Sequence, residues 1–523
     1  MRMARKPDTD SRAAAVEGAA IADALSAWWH EAESRPSAVP SFTAYPFSLG
    51  VASGAPRPAS VVLWTRLAPE PLNGGGLGPE TIPVRWEVAH DERFAQPVRS
   101  GSVDAVAARA HSVHVEVTGL EPARWYFYRF TAGAEVSPTG STRTAPAATA
   151  TPERLRFAFA SCHNFEHGFY AAHRHAADED LELVVFLGDY IYESSSPSPQ
   201  ARRHVGGEAR TLAEYRTRHA QYKTDPDLQR LHAAVPWLVT WDDHEVDNNY
   251  ARDRSETLDP QFLRRRTAAY QAYFEHMPLP ETARPSGRAM QLRARYDMGR
   301  LARFHVLDGR QHRTPQACPR PGRGGSNAVD RRCRQLFASS RTMLGTAQER
   351  WLVDGLRAVP DRWNLIAQQT VVARTARIIE GRRRWGTDSW DGYHAARRRL
   401  LDAIDAGRVR SCVVLTGDVH ANLVSELKLR FGEARSPAVA TELCGTSISS
   451  FGPPQSRMDA IRADNPHVHF ADSSRRGYVV VDLTPERCVA SFRVADDPLD
   501  PFTAVSTQAA FAVQAGRPGA QPA

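Results

Sequence analysis

The sequence of 523 residues lacks any uninterrupted apolar run of the roughly 18 to 20 residues that a membrane-spanning helix needs. This absence predicts a chain without a transmembrane segment. Basic residues and a few alanines open the chain, but Glu17, Asp23 and Glu31 soon interrupt the apolar pattern. The stretch therefore does not resemble the apolar core of a signal peptide. A short amphipathic helix ending near Trp28 and Trp29 is expected there instead.

Cysteine is also scarce, with 6 in the whole chain, which is too few for a disulfide scaffold. Cys412, Cys444 and Cys488 lie in apolar, strand-like patterns and are expected to be buried thiols. Cys318 and Cys333 flank a loop rich in Pro, Gly and Arg. They are either free thiols or a local disulfide, and a disulfide would imply an oxidising compartment.

Charge of one sign is not strongly in excess, because 66 basic residues face 59 acidic ones and leave a net charge of +7. This balance favours an anionic partner only weakly and is also typical of a solvated, arginine-rich surface. A long basic arm with interleaved aromatic residues is missing. The sequence therefore does not predict specific nucleic-acid binding.

Composition and periodicity divide the chain into four segments. The second segment alternates apolar and polar residues between Gly and Pro turns, which is typical of an immunoglobulin-like or fibronectin-like β-sandwich. In the third, short apolar strands alternate with helical patterns, which predicts a layered α/β domain. The segments are an N-terminal tail at residues 1–41, the β-sandwich at 42–150, the α/β catalytic domain at 151–496 and a C-terminal tail at 497–523.

Helices and late strands of the third segment can be placed from their patterns. The predicted helices are residues 211–224, 261–275, 346–359 and 391–406. The predicted late strands are residues 363–368, 411–416, 477–483 and 488–494.

Four clusters of acidic, histidine or cysteine residues each follow a buried-strand pattern, at residues 160–164, 183–193, 239–249 and 413–420. In layered α/β proteins functional side chains gather just beyond the carboxyl ends of strands. Clusters that are far apart in sequence can therefore converge. Together they predict a multinuclear metal site that hydrolyses phosphate esters.

The types of side chain suggest the metals. Cys162 and Tyr192 are soft or strongly donating anionic ligands that suit a redox-capable transition metal such as iron. Asp189, Asp243 and Asp418 are hard oxygen ligands that suit Ca²⁺, Mg²⁺ or Mn²⁺, as is Asn248. The mixture favours a heterometal site in which a metal-bound hydroxide is the nucleophile.

The order of the motifs resembles that of the calcineurin-like metallophosphoesterases. The exact residues within each motif resemble those of the PhoD-type alkaline phosphatase family. The resemblance extends over about residues 45–511. It rests on the runs 47–54, 61–66, 160–162, 188–193, 241–249, 388–393 and 417–420. It implies a β-sandwich followed by an α/β/β/α domain, and an enzyme that hydrolyses phosphomonoesters and phosphodiesters.

The resemblance also implies Fe³⁺ and Ca²⁺ as cofactors, with Mg²⁺ or Mn²⁺ as substitutes for Ca²⁺. The implied iron ligands are Cys162, Asp189, Tyr192 and His420. Asp189 would bridge to Ca²⁺, which Asp418 and an asparagine would also hold, with Asn248 favoured slightly over Asn249.

Further roles are carried over from the same resemblance. His244 stands where the wider superfamily has its general acid, and Asp243 where it has a metal-binding asparagine. Gln369 and Trp390 would line the substrate side. The implied substrates are small phosphate esters, including phospholipid or nucleotide diesters, in a periplasmic or extracellular setting. A twin-arginine export signal is not visible in the sequence, so a cytoplasmic location is the alternative.

Other interpretations remain open at this point. The enzyme could be mainly a phosphodiesterase with phospholipase D-like cleavage, or the chain could be a cell-surface binding protein with a structural metal site. A thiol hydrolase with Cys162 as nucleophile beside His163 would leave Asp189 and Asp418 unexplained. A known family member has a C-terminal helix over its active site. Only residues 506–513 could supply one here, and without it a more open site would admit bulkier esters.

Overall fold

The computed structural model describes residues 40–198, 200–433 and 435–523. The N-terminal tail and the helix predicted near Trp28 and Trp29 lie outside the described residues, apart from positions 40 and 41. Residues Phe42–Ala523 form one compact unit. In the described part of the chain, no helix is long and apolar enough to cross a membrane.

The first part of the described chain consists of strands with apolar residues on one face. They are β1 Val51–Arg57, β2 Ser60–Arg66, β3 Ile82–Ala89, β4 Pro97–Ala105, β5 Ser112–Thr118, β6 Trp125–Ala132, β7 Glu135–Val136 and β8 Gly140–Arg143. β3, β4, β6, β7 and β8 form one sheet, and β1, β2 and β5 lie side by side in another. Leu63, Val84 and Phe130 belong to the apolar layer between the two sheets. This is the predicted β-sandwich.

The sandwich is joined to the next domain through a shared sheet. β1 pairs in parallel with a later strand, β11 (Trp237–Val239), at the register Gly54 to Trp237. Gly54 permits this approach, because a Cβ there would lie 2.5 Å from the backbone oxygen of Pro278. The sequence boundary near residue 150 therefore marks a change in architecture within one compact unit.

The second part contains seven helices in its described residues. They are α1 Ala171–Ala177, α2 Leu212–Lys223, α3 Pro226–Ala234, α4 Phe262–His276, α5 Thr346–Ala358, α6 His394–Ala406 and α7 Gln455–Asp464. Its strands are β9 Leu155–Ala160, β10 Leu183–Phe186, β11, β12 Ala294–Met298, β13 Ala302–Val306, β14 Ala328–Val329, β15 Trp363–Ala367, β16 Arg377–Ile379, β17 Arg382–Gly386, β18 Cys412–Thr416, β19 Asn422–Lys428, β20 Ala438–Cys444, β21 Val468–Asp472, β22 Arg476–Leu483, β23 Arg487–Ala495, β24 Val505–Gln514 and β25 Arg517–Pro522.

Two large sheets face each other in this part. One has ten strands in the order β25-β24-β23-β22-β9-β10-β11-β1-β2-β5, and the other has seven in the order β12-β13-β15-β18-β20-β19-β21. Phe157, Phe304 and Leu365 belong to the apolar layer between them. Helices α1 to α4 pack on the outer face of the first sheet and α5 to α7 on that of the second. The predicted α/β/β/α architecture is confirmed.

Local signals explain where the helices begin. Thr211 caps α2 in a reciprocal capping box with Glu214, and Asp225 caps α3 just before Pro226. All four predicted helices are present. The one expected from residue 391 begins at His394, because a 3-10 turn at Trp390–Gly392 precedes it.

The prediction of a C-terminal tail at residues 497–523 is wrong, as is the candidate helix at 506–513. These residues form β24 and β25 at the edge of the ten-stranded sheet. The physical reason is that burial alternates from one residue to the next, as it does along a strand. Phe511 and Val513 enter the layer between the sheets, while Ala512 is half-buried and Gln514 is exposed. Alternation of this kind favours a strand over a helix.

The cysteines of the described chain divide into one bonded pair and several buried thiols. Cys318 and Cys333 form a disulfide. Cys412, Cys444 and Cys488 are free and buried, as predicted.

Candidate metal centre

The four predicted clusters meet at one edge of the layered domain. β9, β10 and β11 run parallel to one another in the ten-stranded sheet, and β18 runs parallel to β15 and β20 in the seven-stranded sheet. Each cluster follows the carboxyl end of β9, β10, β11 or β18. Residues far apart in the sequence, such as Cys162 and His420, are thereby brought together.

The turns that follow these strands have unusual backbone conformations. Cys162, Asp189, Asp418 and His420 all have φ between 53° and 66°, in the left-handed region. Non-glycine residues are uncommon there, and such strain is concentrated at functional sites. Gly188 allows the β10 turn to approach the β11 turn, since a Cβ would lie 2.5 Å from the backbone nitrogen of Asp242.

The first ligand group contains the side chains predicted to bind iron. Ligand atoms of Cys162, Asp189 and His420 lie within 4.8 Å of one another. The Tyr192 hydroxyl donates to Asp189 Oδ2 at 3.1 Å and lies 3.2 Å from His420 Nε2. The structure thus brings all four predicted side chains together.

Neighbouring groups orient two of these ligands. His420 Nδ1 lies 2.5 Å from the carbonyl oxygen of Phe451, which leaves Nε2 as the nitrogen facing the other ligands. A backbone carbonyl on the distal nitrogen is the usual partner of a metal-binding histidine. The Ser450 hydroxyl donates to the Tyr192 oxygen at 2.6 Å.

Two further ligand groups adjoin the first. One consists of Asp189, Asp243 and His244, and the other of Asp242, Asp243 and Asp418. Asp189 belongs to two of the three groups, which fits its predicted bridging position. Asp242 Oδ2 and Asp243 Oδ1 are buried without a hydrogen-bond partner among the described residues. Buried carboxylate oxygens need such partners or a cation, so the residues present fit a site for divalent or trivalent metal ions.

The pKa values of several of the acidic ligand side chains are raised because these side chains are buried close to one another. Burial, followed by the neighbouring carboxylates, raises the pKa of Asp189 and of Asp418 well above the usual range. Burial and the Asp189 carboxylate likewise raise the pKa of the Cys162 thiol. Cations are the counter-charges that would keep such groups ionised.

Arg310 supplies part of the positive charge on the protein side. Its guanidinium is fully buried, pairs with Asp242, and lies 3.5 Å from Asp243 Oδ1 and 3.8 Å from Asp418 Oδ1. It also pairs with Asp388 at 2.9 Å. Although burial raises the pKa of Asp243, Arg310 and His244 outweigh it and lower that pKa below its usual range.

His244 is held by a buried carboxylate. Its Nδ1 lies 2.6 Å from Glu193 Oε2, and its backbone nitrogen donates to Asp189 Oδ1 at 3.4 Å. Burial alone would lower the pKa of His244, but Glu193, Asp189 and Asp243 raise it well above its usual value. These carboxylates therefore favour the doubly protonated, cationic form of the His244 imidazole.

Asn248, which the sequence favours slightly, and Asn249 have different surroundings. The Asn248 amide donates to Glu256 Oε2, and its backbone nitrogen donates to Glu193. The Asn249 backbone nitrogen instead donates to Asp243 Oδ2 at 2.6 Å, and its φ is 54°. Asn249 is thus tied to the ligand cluster, whereas the Asn248 side chain is held by a carboxylate outside it.

Gln369 and Trp390, which the resemblance places on the substrate side, are both buried. Gln369 is buried, and its amide bonds to Thr240, Leu307 and Gly309. Trp390 is 1% exposed within an apolar cluster around α5 and α6, and its ring nitrogen donates to Gln368. Both side chains stabilise the scaffold because their polar atoms are already bonded within it.

The thiol-hydrolase interpretation is not supported by the surroundings of Cys162. The two ring nitrogens of His163 contact His173 and the carbonyl oxygen of Tyr190. His163 therefore has no nitrogen left to activate the thiol. A buried thiol with a raised pKa is also a poor nucleophile.

Three residues of the site are not among the predicted site residues: Asp242, Glu193 and Arg310. Asp242 directly precedes Asp243, and Glu193 ends the run 183–193, so both lie within predicted clusters. Arg310 lies shortly after the end of β13, and the same strand-end rule could have selected it among the scattered arginines.

Comparisons with known proteins agree with this geometry. A family model described as "PhoD-like phosphatase" matches residues 157–492, and one described as "PhoD-like phosphatase, N-terminal domain" matches residues 32–146. "Alkaline phosphatase D" of Bacillus subtilis (strain 168) is 45% identical over 494 residues, covering 92% of this chain and 83% of its own length. A solved structure described as "Structure of PhoD" superposes with a TM-score of 0.88 at 45% identity, covering 92% of this chain and 93% of that chain.

Proposed function

The chain belongs to the PhoD-like phosphatase family, and on that premise we propose that it is a metal-dependent hydrolase of small phosphate esters. The observation that carries the proposal is the convergence of three ligand groups on one buried edge, with unpartnered oxygens on Asp242 and Asp243. A purely structural carboxylate cluster would satisfy these oxygens with protein donors.

The ligand types favour two different metals. Cys162, Asp189, Tyr192 and His420 would hold Fe³⁺, since thiolate, phenolate and imidazole suit iron. Asp189, Asp418 and Asn249 would hold Ca²⁺, or Mg²⁺ or Mn²⁺ in its place, through oxygen atoms. Such a pair, when bound, supplies Lewis-acid activation of water and of the phosphoryl oxygens.

The chain's own residues would contribute proton transfer and orientation. His244 would give its proton from Nε2 to the ester oxygen that leaves, because Nδ1 is held by Glu193 at 2.6 Å. Arg310 would hold the carboxylates of Asp242, Asp243 and Asp418 in position and offset their mutual repulsion. Arg310 is 0% exposed and so acts on the carboxylates rather than on the substrate.

Diesters are a second candidate class of substrate. Phe451 is 44% exposed, and its ring centroid lies 3.7 Å from that of His167. The carbonyl oxygen of Phe451 contacts Nδ1 of the predicted metal ligand His420. An apolar platform beside a metal ligand would accept the second ester group of a diester. The segment that could have formed a covering helix is instead strand β24, paired between β23 and β25, which supports an open site.

The proposal is tested by hydrolysis of p-nitrophenyl phosphate and of bis-p-nitrophenyl phosphate at alkaline pH. Protein is assayed as purified, after calcium chelation, and after Ca²⁺ is restored. We expect activity to fall on chelation and to return with Ca²⁺, and the two rates to rank the monoester against the diester. Metal-replete protein that hydrolyses neither ester would overturn the proposal.

We also propose a periplasmic or extracellular location. The Cys318–Cys333 disulfide supports it, because disulfides persist in oxidising compartments. Fractionation of the producing cells, with thiol labelling of Cys318 before and after reduction, tests this. Recovery in the cytoplasm with both thiols reduced would favour the alternative.

A further inference from the structure

A second cavity, of about 400 Å³, is lined by side chains that the candidate metal centre does not use. Its walls come from the 3-10 turn Arg334–Phe337, strand β17, the first half of α6 and the loop after β19. Its size falls within the range of about 300 to 1,000 Å³ typical of small-molecule sites.

The charge of this cavity is strongly unbalanced. Glu433 is the one carboxylate among the described side chains that line it, whereas six guanidinium groups do so: Arg331, Arg374, Arg383, Arg397, Arg398 and Arg430. The last three pair with Asp391 or Asp402. Within the described part of the chain, the first three form no ion pair within 4.0 Å.

Arg374 and Arg383, which form no ion pair within the described chain, repel each other. Burial and, after it, the charge of Arg383 lower the pKa of Arg374 to about 10, although the carboxylates of Asp391 and Asp464 act in the opposite direction. Arg374 Nε donates to a neutral amide, Asn465 Oδ1, at 2.8 Å. Arg383 Nη1 is buried and has no hydrogen-bond partner among the described residues. An anion between these guanidiniums would remove the repulsion and satisfy the donor.

One wall of the cavity is aromatic. Phe337 is 46% exposed, and its ring centroid lies 4.9 Å from His394 and 5.9 Å from Trp385. Trp385 Nε1 and His394 Nδ1 are also buried without a partner in the described chain. An exposed ring, that of Phe337, beside unpartnered ring nitrogens matches a ligand that has a flat ring and polar groups.

We propose that this cavity binds a small organic anion that combines phosphate groups with a planar heterocycle, which is the chemistry of a nucleotide. The phosphates would lie against Arg374, Arg383 and Arg331, and the ring would stack on Phe337. The site is distinct from the metal centre and stands whether or not the proposed hydrolysis is correct.

Calorimetry with adenosine 5′-methylenediphosphonate, which resists hydrolysis, tests the proposal on the full chain. Wild type should bind two equivalents, one at each site. Arg374→Gln with Arg383→Gln should weaken the second site at least about tenfold and leave p-nitrophenyl phosphate turnover unchanged. Arg230→Gln changes an arginine of an exposed ion pair elsewhere and should behave as wild type. Equal stoichiometry and affinity in wild type and the double variant would overturn the proposal.

Two additional measurements keep the test decisive. Arg331→Gln changes an exposed residue, so it should fold even if the double variant does not, and it should also weaken the second site. Inorganic pyrophosphate and adenosine should each bind this site more weakly than the nucleotide analogue. Pyrophosphate that binds as tightly as the analogue would overturn the role of the aromatic wall. Wild-type binding that Arg331→Gln and the double variant both leave unchanged would overturn the site itself.

Discussion

Two neighbouring regions of this molecule bury many ionisable side chains, and they do so with opposite results. The candidate metal centre gathers Asp189, Asp242, Asp243 and Asp418, whose ligand atoms converge. Behind the sheet edge, a second region gathers histidines and one lysine: His163, His173, His219, His232 and Lys223. In the described part of the chain, potential metal ligands converge in the first region and not in the second.

The second region is stabilised by becoming neutral. Burial lowers the pKa of His173 to about 3 and that of Lys223 to about 7. The rings stack on their neighbours, as His232 does on Trp237 at 3.9 Å, and Lys223 Nζ lies 4.1 Å from the Trp64 ring centroid. Bases can lose their charge by releasing protons, whereas crowded carboxylates that face one point can keep theirs by binding a cation. Burial alone therefore does not identify a functional site; convergence and sign of charge do.

The largest expected effect comes from breaking the acidic region. Asp189→Asn should reduce hydrolysis by more than the roughly 100-fold typical of outer partners of a metal site, because Asp189 belongs to two ligand groups. Metal content by mass spectrometry should fall in parallel. The matched control is Asp225→Asn, which changes a buried carboxylate that caps α3. Full metal content and activity in Asp189→Asn would contradict the bridging role.

The next effect separates proton donation from metal binding. His244→Asn should reduce turnover by about 10²- to 10⁴-fold, the range for loss of a general acid. The loss should be greater for an alkyl phosphate than for p-nitrophenyl phosphate, since nitrophenolate leaves without a proton. Metal content should stay as in wild type. A variant that loses metal, or equal losses on both esters, would assign His244 to the ligands instead.

A smaller effect is expected from the partner of His244. Glu193→Gln preserves shape but removes the charge that raises the pKa of His244. The acidic form of His244 would then be lost at lower pH, so the alkaline limb of the pH–rate profile should move to lower pH. The maximal rate should fall by about 10- to 100-fold. An unmoved alkaline limb would show that another group sets it.

The smallest effect on activity is expected in the basic region. Lys223 has a pKa of about 7 in the folded protein against its ordinary 10.5, so between these values the unfolded chain binds more protons. Its contribution makes stability rise with pH across that window. Lys223→Met should raise stability most near pH 7, flatten the rise toward pH 10, and leave hydrolysis unchanged.

Denaturant unfolding at several pH values measures this change, with the half-buried Lys428→Met as the matched control. A slope that matches wild type would mean that Lys223 keeps its charge when folded. A large loss of activity in Lys223→Met would mean that the candidate metal centre depends on the basic region.

Much of this contrast is accessible from sequence. Residues such as Asp189 and His420 can be assigned because each follows an apolar strand, and parallel strands bring their carboxyl ends together. Arg310 and Glu193 also follow strands, so the same rule can select them as candidates, but it cannot assign their roles. Their roles depend on which carboxylate or imidazole they touch across the fold, and neither distance is encoded in local spacing.

The fold shows the same limit. The alternation at Phe511 and Val513 is short and rich in alanine, so the sequence pattern favours a tail or a helix over the strand that forms. Pairing with β23 and burial between the sheets make the segment a strand. Gln369 and Trp390 are carried over by resemblance, and the internal bonds that occupy their polar atoms emerge only in three dimensions.

Anomalous X-ray scattering from a crystal of the purified holoprotein, recorded above and below the iron absorption edge, tests the central claim most directly. We predict an iron peak within bonding distance of Cys162 Sγ and His420 Nε2, with a second ion near Asp418. We predict no peak among His163, His173 and His232. A metal peak in that basic region, or an empty acidic cluster in active protein, would contradict the account.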